Sequence, residues 1–254
     1  MVLLSSRTLG AGKPLVMLHG LFGSGENLGG IARILSEEYQ VILIDLRNHG
    51  KSPHIDSITY AQMADDVIET MDHLGIEMAH LFGHSMGGKT AMQLALTYPD
   101  RVSKLVVGDI APVMYSRHHD KILAGTREVG ERGASSRDEA RSLFSKYFDD
   151  PDVLGFLMTN WRRDTDGNWA WRHNWQVIER DYDHISAAPK GQPFEKPTLF
   201  VKGGNSDYIT NEHKDEILRL FPQATVRIIE GAGHWLHAEK PELVARSILR
   251  FLAT

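Results

Sequence analysis

The chain has no cysteine, so disulfides, thiolate zinc sites and a cysteine nucleophile are excluded together, and any covalent catalysis falls to another residue. It also lacks a long basic run. With a formal charge of -5 over 254 residues, it offers no surface for displacing the counterions of a nucleic acid. No apolar stretch approaches the roughly 20 residues that span a bilayer, and Met1-Val2-Leu3-Leu4 is too short for a signal-peptide core. Repeats and low-complexity blocks are missing too. The expectation is a soluble, cytoplasmic protein with no nucleic-acid partner and no membrane span.

What is present is an ordinary soluble composition, 42% hydrophobic and 24% charged, in a chain long enough to bury a full core. Short apolar runs occur at 15–18, 41–44, 81–82, 105–107, 198–201 and 226–229, apolar on both alternating positions as strands buried on two faces require. Helical patterns at 31–38, 60–74, 89–98, 212–221 and 241–251 lie between or after them. The alternation predicts an α/β fold with a mostly parallel, doubly wound sheet flanked by helices. It breaks between Pro112 and Pro197, where charged helical segments precede Asp166-Gly167, a hairpin signal between aromatic-rich flanks. Residues 1–112 and 197–254 therefore read as one core, and 113–196 as a mainly helical cap carrying one hairpin.

Ligands in open α/β sheets bind beyond the carboxyl ends of the strands, and each chemically suggestive residue follows a strand. Gly83-His84-Ser85-Met86-Gly87 stands between an apolar strand and an alanine-rich helix, the setting of a nucleophile elbow. A side chain at either glycine would collide with backbone in so tight a turn, and Ser85 is expected near a left-handed conformation. A serine hydroxyl needs a base, and the base an orienting group. His234, in the glycine-flanked loop after the last strand, is the leading base; His237, three residues on, is a weaker candidate. Asp207 and Asp109 both end strands that could reach His234, and the residues alone leave the choice open.

Two preorganised donors are needed for a developing oxyanion. The Met86 amide, at the head of a helix, supplies one, and the Leu21 amide is the simplest second. Phe22 is expected on the acyl side, and His84 and Trp235 beside the nucleophile and base are further candidates for substrate contact. The turn from Asp45 to Ser52 reads as a support for the neighbouring loop. His118-His119-Asp120 reads as a solvated helix start rather than a metal site, because adjacent side chains point apart and no second ligand cluster matches. Trp161, Trp169 and Trp171 read chiefly as packing, with one hairpin face free to line a pocket. Arg162, Arg163 and Arg172 fit an anionic substrate group or plain solvation equally well.

At His19-Gly20-Leu21-Phe22-Gly23-Ser24, Asp45-Leu46-Arg47-Asn48-His49-Gly50, Gly83-His84-Ser85-Met86-Gly87-Gly88-Lys89, Asp109-Ile110-Ala111-Pro112, Gly203-Gly204-Asn205-Ser206 and Gly233-His234-Trp235, the chain resembles α/β-hydrolases, and more narrowly the YbfF-like esterases and the abhydrolase-domain-11 proteins. The resemblance spans nearly the whole chain. It implies a serine esterase acting on short to medium acyl esters, with acyl-CoA thioesters as an alternative substrate, a small cap around the pocket and no cofactor. It also implies Asp109 as the acid, although this chain carries an aspartate at 207 as well. Other acyl transfer or carbon-carbon hydrolysis on the same residues, or a ligand-binding scaffold without turnover, are the remaining alternatives. Oligomeric state is not legible.

Overall fold

The computed structural model describes residues 2–148 and 150–254. In chain order the core begins with β1 (Ser6–Leu9), β2 (Lys13–Leu18), α1 (Gly29–Leu35), β3 (Tyr39–Ile44), α2 (Tyr60–His73), β4 (Ala79–His84), α3 (Met86–Thr97) and β5 (Val102–Gly108). The insertion contributes α4 (Asp120–Arg132), α5 (Arg137–Phe144), α6 (Pro151–Met158), β6 (Trp161–Arg163), β7 (Trp169–Trp171), α7 (Trp175–Arg180) and α8 (Tyr182–Ser186). The chain then returns through β8 (Thr198–Gly203), α9 (Lys214–Leu220), β9 (Ala224–Ile229), α10 (Leu236–Glu239) and α11 (Pro241–Ala253).

Seven strands form one sheet in the order β1-β3-β2-β4-β5-β8-β9, and every neighbouring pair is parallel except β1 with β3. This is the α/β-hydrolase architecture with a mainly helical cap between β5 and β8. The central strands are apolar on both faces because both are covered. Val16, Leu18, Leu81 and Val107 pack with α2, α3 and the cap, whereas Leu15, Met17, Phe82 and Val106 pack with α1 and α11. Strand β1 has no apolar run to announce it. Its residues are largely exposed at the sheet edge, where pairing on one side needs no buried face.

Helix limits follow local chemistry. The Thr59 side chain accepts from the Gln62 amide at the start of α2, and Ser136 does the same for Glu139 at α5, satisfying amides with no partner inside the helix. Helix α4 stops at Gly133, whose φ of 65° is left-handed. Helix α3 begins at Met86, three residues before the alanine-rich run. The pattern at 212–221 resolves into a short 3-10 turn, Asn211–His213, and then α9. The expected hairpin forms with Trp161 opposite Trp171, and Gly167 takes the left-handed position of its loop. Among the described residues no helix is long and apolar enough to cross a membrane.

Candidate active site

The ends of β2, β3, β4 and β5 share one rim, and each is followed by a non-glycine residue in the left-handed region: Phe22, Asn48, Ser85 and Asp109. Ser85 has φ 54° and ψ -118°. Its amide is held by the Gly108 carbonyl at 2.9 Å, while its own carbonyl opens α3 by accepting from Lys89 at 3.0 Å. A Cβ at position 83 would lie 2.1 Å from the Gly87 carbonyl oxygen, and one at position 87 would lie 2.3 Å from that of Leu18. Only glycine fits either place. The turn thereby lifts the serine side chain clear of the sheet.

His234 comes from the loop between β9 and α10. Its Nε2 is 3.0 Å from Ser85 Oγ and its Nδ1 is 2.8 Å from Asp109 Oδ2. A carboxylate can only accept here, so Nδ1 carries the proton and Nε2 presents a lone pair to the serine hydroxyl. Asp109 is fully buried, and the Gly203 amide donates to its Oδ1 at 2.9 Å. The Ser206 hydroxyl donates to its Oδ2. Tyr208 lies flat against His234, with ring centroids 3.9 Å apart and planes at 20°. The His234 carbonyl accepts from Nε2 of His84 at 2.7 Å.

Asp207 does not join this group. It is exposed and borders a separate groove with Lys202 and Lys214, so the alternative in which it orients His234 is corrected. Its neighbour Ser206 turns inward instead. Sequence reasoning passed over that serine, although it belongs to the Gly203-Gly204-Asn205-Ser206 run. His237 is buried behind His84, with ring centroids 4.3 Å apart, and is not bonded to Ser85.

The loop after β2 is braced from beneath. His19 Nδ1 donates to the Gly20 carbonyl while its Nε2 accepts from the Leu46 amide at 3.0 Å. His49 Nδ1 donates to the Arg47 carbonyl and its Nε2 accepts from the Phe22 amide at 3.3 Å. Asp45 takes the Gly25 and Lys51 amides, and Arg47 forms a buried pair with Asp66. The turn from Asp45 to Ser52 thus has the supporting role its sequence suggests. Among the described residues no backbone acceptor engages the amide of Leu21 or of Met86.

Two cavities, about 60 and 40 Å³ in volume, meet at Leu21, Ser85 and His119. The first is bordered by Phe22, His84, Phe156, Leu157 and Trp235, and the second by Tyr60, Lys89, Tyr115, Tyr182 and Tyr208. A larger groove of about 520 Å³ lies beside Arg7, Glu26 and Arg33 but contains neither Ser85 nor His234; size alone does not mark the site. Lys89, buried one turn beyond Ser85, donates to the carbonyls of Ser186 and Ala187 at 2.9 and 2.7 Å. Burial brings its pKa down to about 7. Desolvation likewise holds His84 well below the usual histidine range and brings His237 to about 4, so both stay neutral beside the base.

Several cap residues stand elsewhere than expected. Trp161 and Trp171 are buried against each other, their indole N–H groups donating to the carbonyls of Ala134 and Thr126. Trp169 lies beneath the Arg163 guanidinium. None of the three borders either cavity, which corrects their assignment to substrate contact: the hairpin turns its aromatic face into the cap. Arg162 and Arg172 are not free for an anion, since both pair with Glu26 at 3.2 Å, Arg162 while still exposed to solvent. His118 is exposed, as read, but His119 is not; it faces both cavities. Asn160 donates to the Phe22 carbonyl at 2.7 Å and ties the cap to the loop after β2.

Residues 13–241 match the family model for the alpha/beta hydrolase fold. The chain is 43% identical over 240 residues to the esterase YbfF of Escherichia coli, covering 94% of this chain and 92% of that protein. It is 38% identical over 248 residues to the sn-1-specific diacylglycerol lipase ABHD11 of Mus musculus, covering 94% and 80% respectively. A solved structure of a marine microorganism esterase superposes with a TM-score of 0.95 at 41% identity, covering 99% of this chain and all of that one.

Proposed function

Since the chain belongs to the α/β-hydrolase superfamily, within the YbfF-like esterase family, we propose that it is a serine carboxylesterase that cleaves short to medium acyl esters through Ser85, His234 and Asp109. One observation carries this reading: His234 stands between Ser85 Oγ, at 3.0 Å, and Asp109 Oδ2, at 2.8 Å, in the tautomer that a general base requires.

In the reaction, His234 Nε2 takes the Ser85 proton as Oγ attacks the ester carbonyl. The imidazolium that forms is stabilised by Asp109, which stays ionised throughout. The amides of Leu21 and Met86 hold the negative oxygen. Collapse breaks the bond to the alkoxy group, which leaves with the proton from Nε2 and yields the acyl-enzyme. Water then attacks, passes its proton to His234, and releases the acid and the free serine. Phe22, Phe156 and Trp235 give one cavity an apolar lining suited to an acyl chain. No cofactor enters any step.

A fluorophosphonate probe should label the wild-type protein and leave Ser85→Ala unlabelled. The same substitution should lower kcat by on the order of 10⁶, as loss of the nucleophile does in a serine protease. A panel of p-nitrophenyl esters of graded chain length, run beside acyl-CoA thioesters, ranks the substrates. Label on the Ser85→Ala protein, or turnover close to wild type, would sink the proposal.

A further inference from the structure

The cap places one side chain against the reacting centre from the far side, and the steps above do not use it. His119, just before α4, borders both cavities and so stands where the two halves of an ester would join at Ser85. Its ring packs edge-on to Phe22. Nδ1 lies 2.5 Å from the Tyr182 hydroxyl. A phenol O–H is a far stronger donor than an imidazole N–H, and an imidazole nitrogen a far stronger acceptor than a phenol oxygen, so the phenol gives its proton to Nδ1. The proton of a neutral His119 is therefore on Nε2, while the ring's one hydrogen bond among the described residues is made through Nδ1. Burial keeps the ring neutral by bringing its pKa to about 3.

We propose that His119 is a cap-borne catalytic residue whose Nε2–H donates a hydrogen bond to the leaving alkoxy oxygen of the ester. The inference rests on the esterase reading of the same site. The carbonyl oxygen already has two amides, whereas His234 must serve the nucleophile and the alkoxy oxygen in turn, so no donor stands at the alkoxy oxygen until the imidazolium has formed. The proton it finally acquires comes from His234. His119 keeps its proton and lowers the charge the alkoxide must carry as the bond to carbon breaks. Tyr182 positions His119 by fixing the tautomer.

A donor of this kind matters most when the leaving group is poor. Ethyl butyrate and p-nitrophenyl butyrate share one acyl-enzyme and differ only in the alcohol. His119→Leu should lose at least about tenfold more kcat/KM on the ethyl ester than on the p-nitrophenyl ester. His119→Gln, which retains a side-chain N–H, should recover part of the loss, and Tyr182→Phe should show the same ester selectivity in weaker form. An equal loss on both esters, or no loss on the ethyl ester, would overturn the proposal while leaving the esterase reading intact. A wild-type protein that hydrolyses neither ester and ignores the fluorophosphonate probe would instead remove the reading beneath it.

Discussion

The Ser206 hydroxyl donates to Asp109 through the same carboxylate oxygen, Oδ2, that faces His234. Asp109 is therefore held by the Gly203 amide on one oxygen and by a hydroxyl on the other, and its orientation toward the base does not depend on the base itself. Ser206→Ala should lower kcat by about tenfold, the worth of one hydrogen bond to a charged group, with little change in KM. Steady-state kinetics on a p-nitrophenyl ester would decide; an unchanged kcat would make Ser206 a packing residue only.

Asp109→Asn keeps the shape of the site but lets the amide donate where His234 must. The wrong tautomer should then reduce kcat by about 10⁴. Asp207→Asn, at an exposed position away from the histidine, should leave kcat within about twofold, an effect too small to register as a change in the barrier. Measuring the two variants side by side tests the assignment, and a reversed order would return the role to Asp207.

Burial lowers the pKa of seven histidines: His19, His49, His80, His84, His119, His173 and His237, with His80 and His237 at about 4 and His119 and His173 at about 3. In the unfolded chain each takes up a proton near its ordinary value of 6.5. The stability these groups contribute is thus complete above about pH 6.5 and is lost as the pH falls toward their folded values, at up to about 1.4 kcal/mol per pH unit for each proton. Urea unfolding at pH 7, 6 and 5 should show a steep decline linked to uptake of several protons. A flat profile would mean that these rings are already charged in the fold.

The cavities at Ser85 hold about 60 and 40 Å³, well under the ~300 Å³ of a small ligand pocket. Longer acyl chains must displace the cap. Glu26 opposes that movement by pairing with Arg162 and Arg172 from the hairpin, pairs exposed enough to contribute less than about 1 kcal/mol each. Glu26→Gln, or added salt, should raise kcat/KM a few-fold for long-chain esters and leave acetate unchanged. Equal effects on every chain length would show that the pairs do not gate access.

The sheet and the nucleophile were legible because their demands are local. Buried parallel strands must be apolar on both faces, and the turn at Ser85 admits only hydrogen at positions 83 and 87. The edge strand β1 makes no such demand, so Ser6–Leu9 carried no signal. The choice between Asp109 and Asp207 turns on which side chain faces inward after β5 and β8, a matter of tertiary packing that residue type does not encode. The hairpin was found from Asp166-Gly167, yet its facing was not: indole rings suit a cap core and a pocket wall equally well, and the carbonyls of Ala134 and Thr126 that receive Trp161 and Trp171 lie far off in sequence. His119 was misread for the same reason. Its neighbour His118 is solvent-exposed, and only the fold separates them.

Phe22, Asn48, Ser85 and Asp109 all hold left-handed backbone at successive strand ends. Such conformations cost roughly 1–3 kcal/mol apiece, a substantial share of the ~5–15 kcal/mol by which a domain of this kind outlasts its unfolded state. At three of the four the side chain more than offsets that strain: Phe22 and Asp109 are buried, and Asn48 accepts from the Ile55 amide and donates to the Ser57 carbonyl. Heat-resistance screening of this chain without a demand for turnover would therefore collect glycine at Ser85, and so favour the one exchange that disarms the site.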